Sequence, residues 1–222
     1  MQSPLAELTK YTLLIVGALF PIVNPIGSAP LFLTLTRGIS RQGRAVLSRM
    51  IALNGLALIL SSIFVGTYIL DFFGISLPVV QVSGGLVLVA AGWNLLRRPD
   101  DEETPESENK PCNEMDYRKQ AFYPLTLPLT VGPGTISVAI TLGANRPEGG
   151  QWAWPVIGGM LIGSVAIALS IYLSYRSAER LAEVLGDAAM NVFIRLSSFI
   201  LLCIGVQIFW NGVKALLREA WR

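Results

Sequence analysis

The sequence predicts an all-α membrane protein: six transmembrane helices arranged as a 3+3 inverted repeat, with spans 1 and 4 broken at the bilayer midplane. Three observations predict this. There are six uncharged apolar runs of spanning length, two of them hold prolines and glycines at mid-run, and a numerical offset lays one half of the chain on the other. Composition sets the class, since 52% of the 222 residues are hydrophobic and only 14% are charged. A run of roughly 20 apolar residues crosses a hydrocarbon core of about 30 Å as helix.

The first run, Tyr11–Thr36, is preceded by Glu7 and Lys10 and lacks a basic n-region and a clear cleavage site, so it reads as a retained span. Its centre is FPIVNPIGSAPLFL, Phe20–Leu33, with prolines at 21, 25 and 30 and a glycine at 27. The second and third runs are Met50–Leu70 and Ile75–Leu96. An acidic, proline-bearing stretch follows, PDDEETPESENKPCNEMD, Pro99–Asp116, too poor in apolar residues to offset the entropy of ordering. The fourth run, Ala121–Asn145, carries YPLTLPLTVGPGTISVAI, and the fifth, Trp152–Tyr175, carries Gly159 and Gly163 at the spacing of close helix packing within a bundle. The sixth, Ala189–Val213, contains Arg195, which lies about 9 Å in if that helix begins near Ala189. At that depth it serves either snorkelling and packing or a role in binding. Residues 1–98 form the first three-helix repeat, 99–118 a cytoplasmic linker, and 119–222 the second repeat.

Lysine and arginine set the orientation. With the amino terminus outside, inner loops hold 11 of them and outer segments 5, so both termini are expected outside. The Lys214–Arg222 tail runs against this count. Tyr11, Tyr68, Trp93, Tyr123, Trp152, Trp154 and Trp210 fall near span ends, where amphipathic rings prefer the interface. Histidine is absent, Cys112 and Cys203 offer no metal set or disulfide, and no carboxylate lies deep in a span. No cofactor or metal is expected, and proton coupling through a buried carboxylate is unsupported. A net charge of +2 gives no electrostatic case for nucleic acid. The expected partners are the lipid bilayer and a small-molecule substrate, with a homo-oligomer left open.

A shift of 108 residues lays Pro25 on Pro133, Gly55 on Gly163 and Ser62 on Ser170, and a shift of 114 lays Gln81 on Arg195. Three spans per half turn the second half upside down, the arrangement of inverted-repeat transporters. Asn24 lies 13 residues from both Tyr11 and Arg37, roughly 20 Å of helix each way. Asn24 before Pro25 is a helix start: asparagine accepts from orphan N–H groups and proline needs no donor at the first helical position. Gly132 before Pro133 repeats this, with Gly134 and Thr135 beyond. Each half-helix start presents free N–H groups and a positive dipole end, which suits a carboxylate. Gly27 and Gly134 would admit a ligand close to the backbone. The candidate binding residues are therefore Asn24, Pro25, Gly27, Ser28, Gly132, Pro133, Gly134 and Thr135, with Arg195. The competing reading is a pair of proline kinks repaired by neighbouring serine and threonine.

The segments NPIGSAPLF, PLTLPLTVGPGTI, FGISLPVVQVSGG and GVQIFWNG together resemble the MarC family of six-span bacterial and archaeal inner-membrane proteins, over nearly the whole chain except the acidic stretch. Resemblance to the small neutral amino acid transporter branch of that family implies substrates of glycine or alanine size. The family pattern places an arginine before the small-residue pair of the third span, as Arg195 stands in the sixth; here that place is Gln81.

The leading functional expectation is a non-enzymatic secondary transporter of small zwitterionic solutes, alternating access around a midplane site. A membrane-embedded enzyme acting on lipid is disfavoured by the missing histidine and buried carboxylates. An ion channel is disfavoured because no ring of four filter loops repeats.

Overall fold

The computed structural model describes residues 3–36, 38–97, 119–144 and 153–221, and among them every regular element is helical. In chain order these are α1 (Pro4–Val23), α2 (Pro25–Leu35), α3 (Arg41–Phe72), α4 (Leu77–Arg97), α5 (Ala121–Thr130), α6 (Pro133–Ala144), α7 (Trp154–Arg176) and α8 (Ala178–Ala220). Five stretches are long and apolar enough to cross a membrane, and the bent pair α5 and α6 makes a sixth if taken as one span. The acidic segment, Cys112, Arg146 and Trp152 lie outside the described residues.

α7 shows why these helices suit lipid. Val156, Met160, Ser164, Ile167 and Ile171 are buried on one face, while Leu161, Ile162, Val165, Leu169 and Leu173 are exposed on the other. The faces alternate with helical period, yet both are apolar, so one meets protein and the other hydrocarbon. α3 repeats the pattern, burying Leu47, Ile51, Ile59 and Ile63 and exposing Val46, Leu53 and Val65. Lipid tails are as apolar as leucine, so close packing must supply most of the cohesion. Gly159 and Gly163 supply it for α1 and α7: a Cβ on Gly159 would meet Leu8 and Tyr11, and one on Gly163 would meet Ile15. The Thr12 hydroxyl donates to Leu8 O at 2.9 Å and lies 3.3 Å from Gly159 O.

The tightest pair is α4 with α8. A Cβ on Gly92 would sit 2.9 Å from Leu202 N, one on Gly212 2.7 Å from Pro78 O, and Gly85 and Gly205 face each other's backbones between them. These two helices run antiparallel, nearly backbone to backbone. α3 packs on both α6 and α7, and α2 bridges α7 and α8.

Cation and ring pairs sit at both ends of the bundle. Lys10 lies over Tyr11 and Lys214 over Trp210 at one end, and Arg97 over Trp93 and Arg176 over Tyr172 at the other, each 5.5 to 5.8 Å from the ring centroid. At the second end Ser40 caps α3, accepting from Gly43 N at 3.1 Å. Arg41 and Arg44 of α3 both pair with Glu179 of α8 there.

Two boundaries differ from the sequence expectation. The first candidate span starts at Pro4, capped by Ser3, and runs through α1 and into α2 as far as Leu33. The last helix starts eleven residues before Ala189, at Ala178, and bends at Gly186, whose φ of 66° glycine adopts without a Cβ penalty. Ala178–Leu185 is rich in helix-forming alanine, glutamate and leucine, so the polar lead-in extends the helix. Within α8 the stretch apolar enough to cross a membrane is Arg195–Glu219.

Candidate functional site

The first interruption is one residue wide. Asn24 has φ 44° and ψ 57°, the sole non-glycine positive φ among the described residues, a conformation asparagine tolerates better than most. Its N–H donates to Phe20 O at 2.9 Å, closing α1. Its carbonyl accepts from Ser28 N at 3.0 Å and its Oδ1 from Gly27 N at 3.2 Å, opening α2. One side chain thus ends one helix and caps the next, with Pro25 at the first position where no donor is needed. The space left by Gly27 is filled by protein, because a Cβ there would overlap the Asn24 amide.

The second interruption is built differently. Tyr123 and Leu127 have extended φ/ψ and precede cis bonds to Pro124 and Pro128, so α5 is a wide, irregular helix. The Thr126 and Thr130 hydroxyls donate to Ala121 O and Leu125 O, five residues back, at 2.5 and 2.7 Å. These hydroxyl bonds follow the five-residue spacing of the wide helix and go to Ala121 and Leu125, not to the Gln120 and Pro124 carbonyls four residues before the two prolines. α6 then starts at Pro133, bent 69° from α5, with Gly132 O accepting from Ile136 N at 3.1 Å. Gly132 carries no side chain to cap it. Gly134 and Thr135 are buried while Pro133 is exposed, and a Cβ on Gly134 would strike Leu88 of α4.

A residue given no role in the sequence analysis joins the two interruptions. Tyr175, in the last turn of α7, places its hydroxyl 2.8 Å from Thr130 Oγ1, and the same hydroxyl lies beside the Ser28 side chain. Its ring stacks on Phe32 of α2 with centroids 4.6 Å apart and planes within 8°. All four side chains are buried. A buried tyrosine needs a partner for its hydroxyl, and here that partner comes from the end of α5. That requirement was the one signal in the sequence, but it named no partner.

Arg195 is exposed on α8, the helix that packs against α2, and is not part of the Tyr175 cluster. On the far side of the first interruption from Tyr175 lies a cleft of about 240 Å³ between α1, α4, α6 and α8. Gly17, Ala18 and Ile22 of α1 line it, and its polar groups are Gln81, Thr141 and Asn211. None of the candidate binding residues lines this cleft, but Gln81 does. Among the described residues no group of three or more His, Cys, Asp or Glu side chains could hold a metal.

Comparison with known proteins gives one consistent family. The profile described as MarC family integral membrane protein matches residues 9–217. The chain is 30% identical to a membrane protein of Methanocaldococcus jannaschii, covering 94% of this chain and 98% of that one. It is 29% identical to the inner membrane protein MarC of Salmonella typhimurium, covering 90% and 92%, and 28% identical to that of Escherichia coli over the same shares. No solved structure matches it.

Proposed function

The chain belongs to the MarC family of integral membrane proteins, and on that premise we propose that it is a secondary transporter of small neutral zwitterions, of glycine or alanine size, in the bacterial inner membrane. The observation that carries this reading is the Tyr175 side chain, its hydroxyl on Thr130 of α5 and its ring stacked on Phe32 of α2. It brings two interrupted helices to one side chain, and interrupted helices meeting near mid-membrane are the usual construction of a transporter site.

The fold is read as two inverted halves, α1 to α4 and α5 to α8, with spans 1 and 4 broken at the midplane. Supporting this, contacts exchange when the halves are swapped: α3 with α6 answers α7 with α2, α3 with α5 answers α7 with α1, and α4 with α6 answers α8 with α2. The site is shared unequally. Asn24 already occupies the Gly27 and Ser28 donors of α2, whereas Gly132 brings no cap to α6, so the substrate carboxylate belongs at the Gly132–Thr135 start. The cleft bearing Gln81, Thr141 and Asn211 is its approach from the Lys10 end. The opposite end, which gathers Arg41, Arg44, Arg49, Arg97, Lys119, Arg176 and Arg180, is the cytoplasmic one, leaving both termini outside. No catalytic role is assigned.

Purified protein in proteoliposomes tests the reading. Labelled glycine and alanine should accumulate or exchange, faster with a sodium or proton gradient of one sign, and the corresponding amines without a carboxylate should compete poorly. If no zwitterion in a small amino acid panel moves under any gradient, the transporter reading fails.

A further inference from the structure

At the end of the bundle where α3 starts and α7 stops, two clefts of about 710 and 820 Å³ open side by side, sharing Gln42, Ala45 and Arg176. We propose that they form a binding site for the phosphate headgroup of an anionic phospholipid. The larger cleft is amphipathic along its length. Ser40, Gln42 and Arg176 stand at its polar end, and α3 carries Val46, Arg49 and Leu53 in turn farther down its wall, the two apolar side chains exposed on the face that meets hydrocarbon. A headgroup and one acyl chain have that shape and that sequence of polarity. The smaller cleft adds Arg41 and Arg180.

The local charge balance favours an anion. On α8 the acidic side chains near the clefts are Glu179, already engaged by Arg41 and Arg44, and Glu183 one turn farther on. Arg49 and Arg180 make no ion pair among the described residues, and Arg176 lies over the Tyr172 ring, 5.7 Å from its centroid, at the cleft wall. Tyrosine beside arginine at the level where apolar surface begins is the composition of a membrane interface. Basic pockets between helices at that level bind lipid phosphates. The site is separate from the helix interruptions and does not depend on the transport reading.

Lipid exchange into detergent-solubilised full-length protein, followed by native mass spectrometry, tests it with phosphatidylglycerol against phosphatidylcholine as probes. The intact protein should retain phosphatidylglycerol in preference. Arg49→Gln with Arg180→Gln should weaken that preference by on the order of twenty-fold, while Arg218→Gln, at the other end of the bundle, should leave it unchanged. Equal retention of the two lipids, or an equal loss with Arg218→Gln, overturns the site. Full competition by millimolar glycerol phosphate would make it a soluble-anion site instead of a lipid site. Displacement of the lipid by a peptide of residues 99–116 would assign the clefts to that acidic stretch.

Discussion

The Tyr175 hydroxyl lies 2.8 Å from Thr130 Oγ1, linking the last turn of α7 to the last residue before the bend between α5 and α6. The two residues are 45 apart in sequence, and with Ser28 and Phe32 they form a cluster in which Tyr175 reaches both α2 and α5. Tyr175→Phe keeps the stack on Phe32 and deletes only the hydroxyl. The loss in stability should be about 1 kcal/mol, with a lower unfolding midpoint in detergent. Transport per folded protein should fall further than the midpoint does, and an unchanged rate would separate the cluster from function.

Asn24 has two separable jobs, a left-handed backbone and a cap. Asn24→Gly keeps the first and loses the second, so it should cost a few tenths of a kcal/mol. Asn24→Ala loses both and should cost about 1 to 2 kcal/mol. Thermal unfolding of the two variants should rank them in that order; equal losses would mean the backbone conformation is not what asparagine supplies.

Gly134 is constrained by a neighbour, not by open space. Gly134→Ala should destabilise the fold because its Cβ meets Leu88, and Leu88→Ala should make the same change tolerable. A double-mutant cycle on unfolding midpoints measures this, with a coupling of about 1 kcal/mol or more expected. Gly27→Ala should behave differently, displacing the Asn24 amide, so that no truncation on α4 rescues it.

Orientation has a simple chemical readout. In a Cys203→Ser background, Cys112 should resist an impermeant thiol reagent in sealed cells and react in inverted membrane vesicles, because basic residues mark its side as cytoplasmic. Labelling in sealed cells would reverse the assignment.

Helix class, membrane character and family were legible because each depends on pattern along the chain: apolar runs, their helical period, and motifs such as NPIGSAPLF and PLTLPLTVGPGTI. The Asn24 cap was also legible, since an N-cap asparagine bonds to a donor three residues ahead and local sequence contains both partners. Tyr175 was not legible. Its partners lie on other helices, and periodicity gives a face but not what the face meets. The form of α5 was hidden for a related reason. Prolines at 124 and 128 announce an irregular helix, but which carbonyls the threonine hydroxyls take depends on rotamers that composition does not fix. The start of α8 at Ala178 was hidden because Gly186, with its left-handed φ, looks like a terminator while the chain continues as helix on both sides of it.

The glycine-lined seam between α4 and α8 has a mechanical meaning. Where two helices touch through main chain with no side chains between them, there is no rotamer to adjust and little room for sliding, so the third and sixth spans act as one stiff beam. Shear would fall more easily on boundaries filled by side chains, such as those the beam makes with α1 and α2. A rearrangement of the helices around Asn24 and Pro133 would then work against this beam, which Leu88 ties to α6 by packing on Gly134.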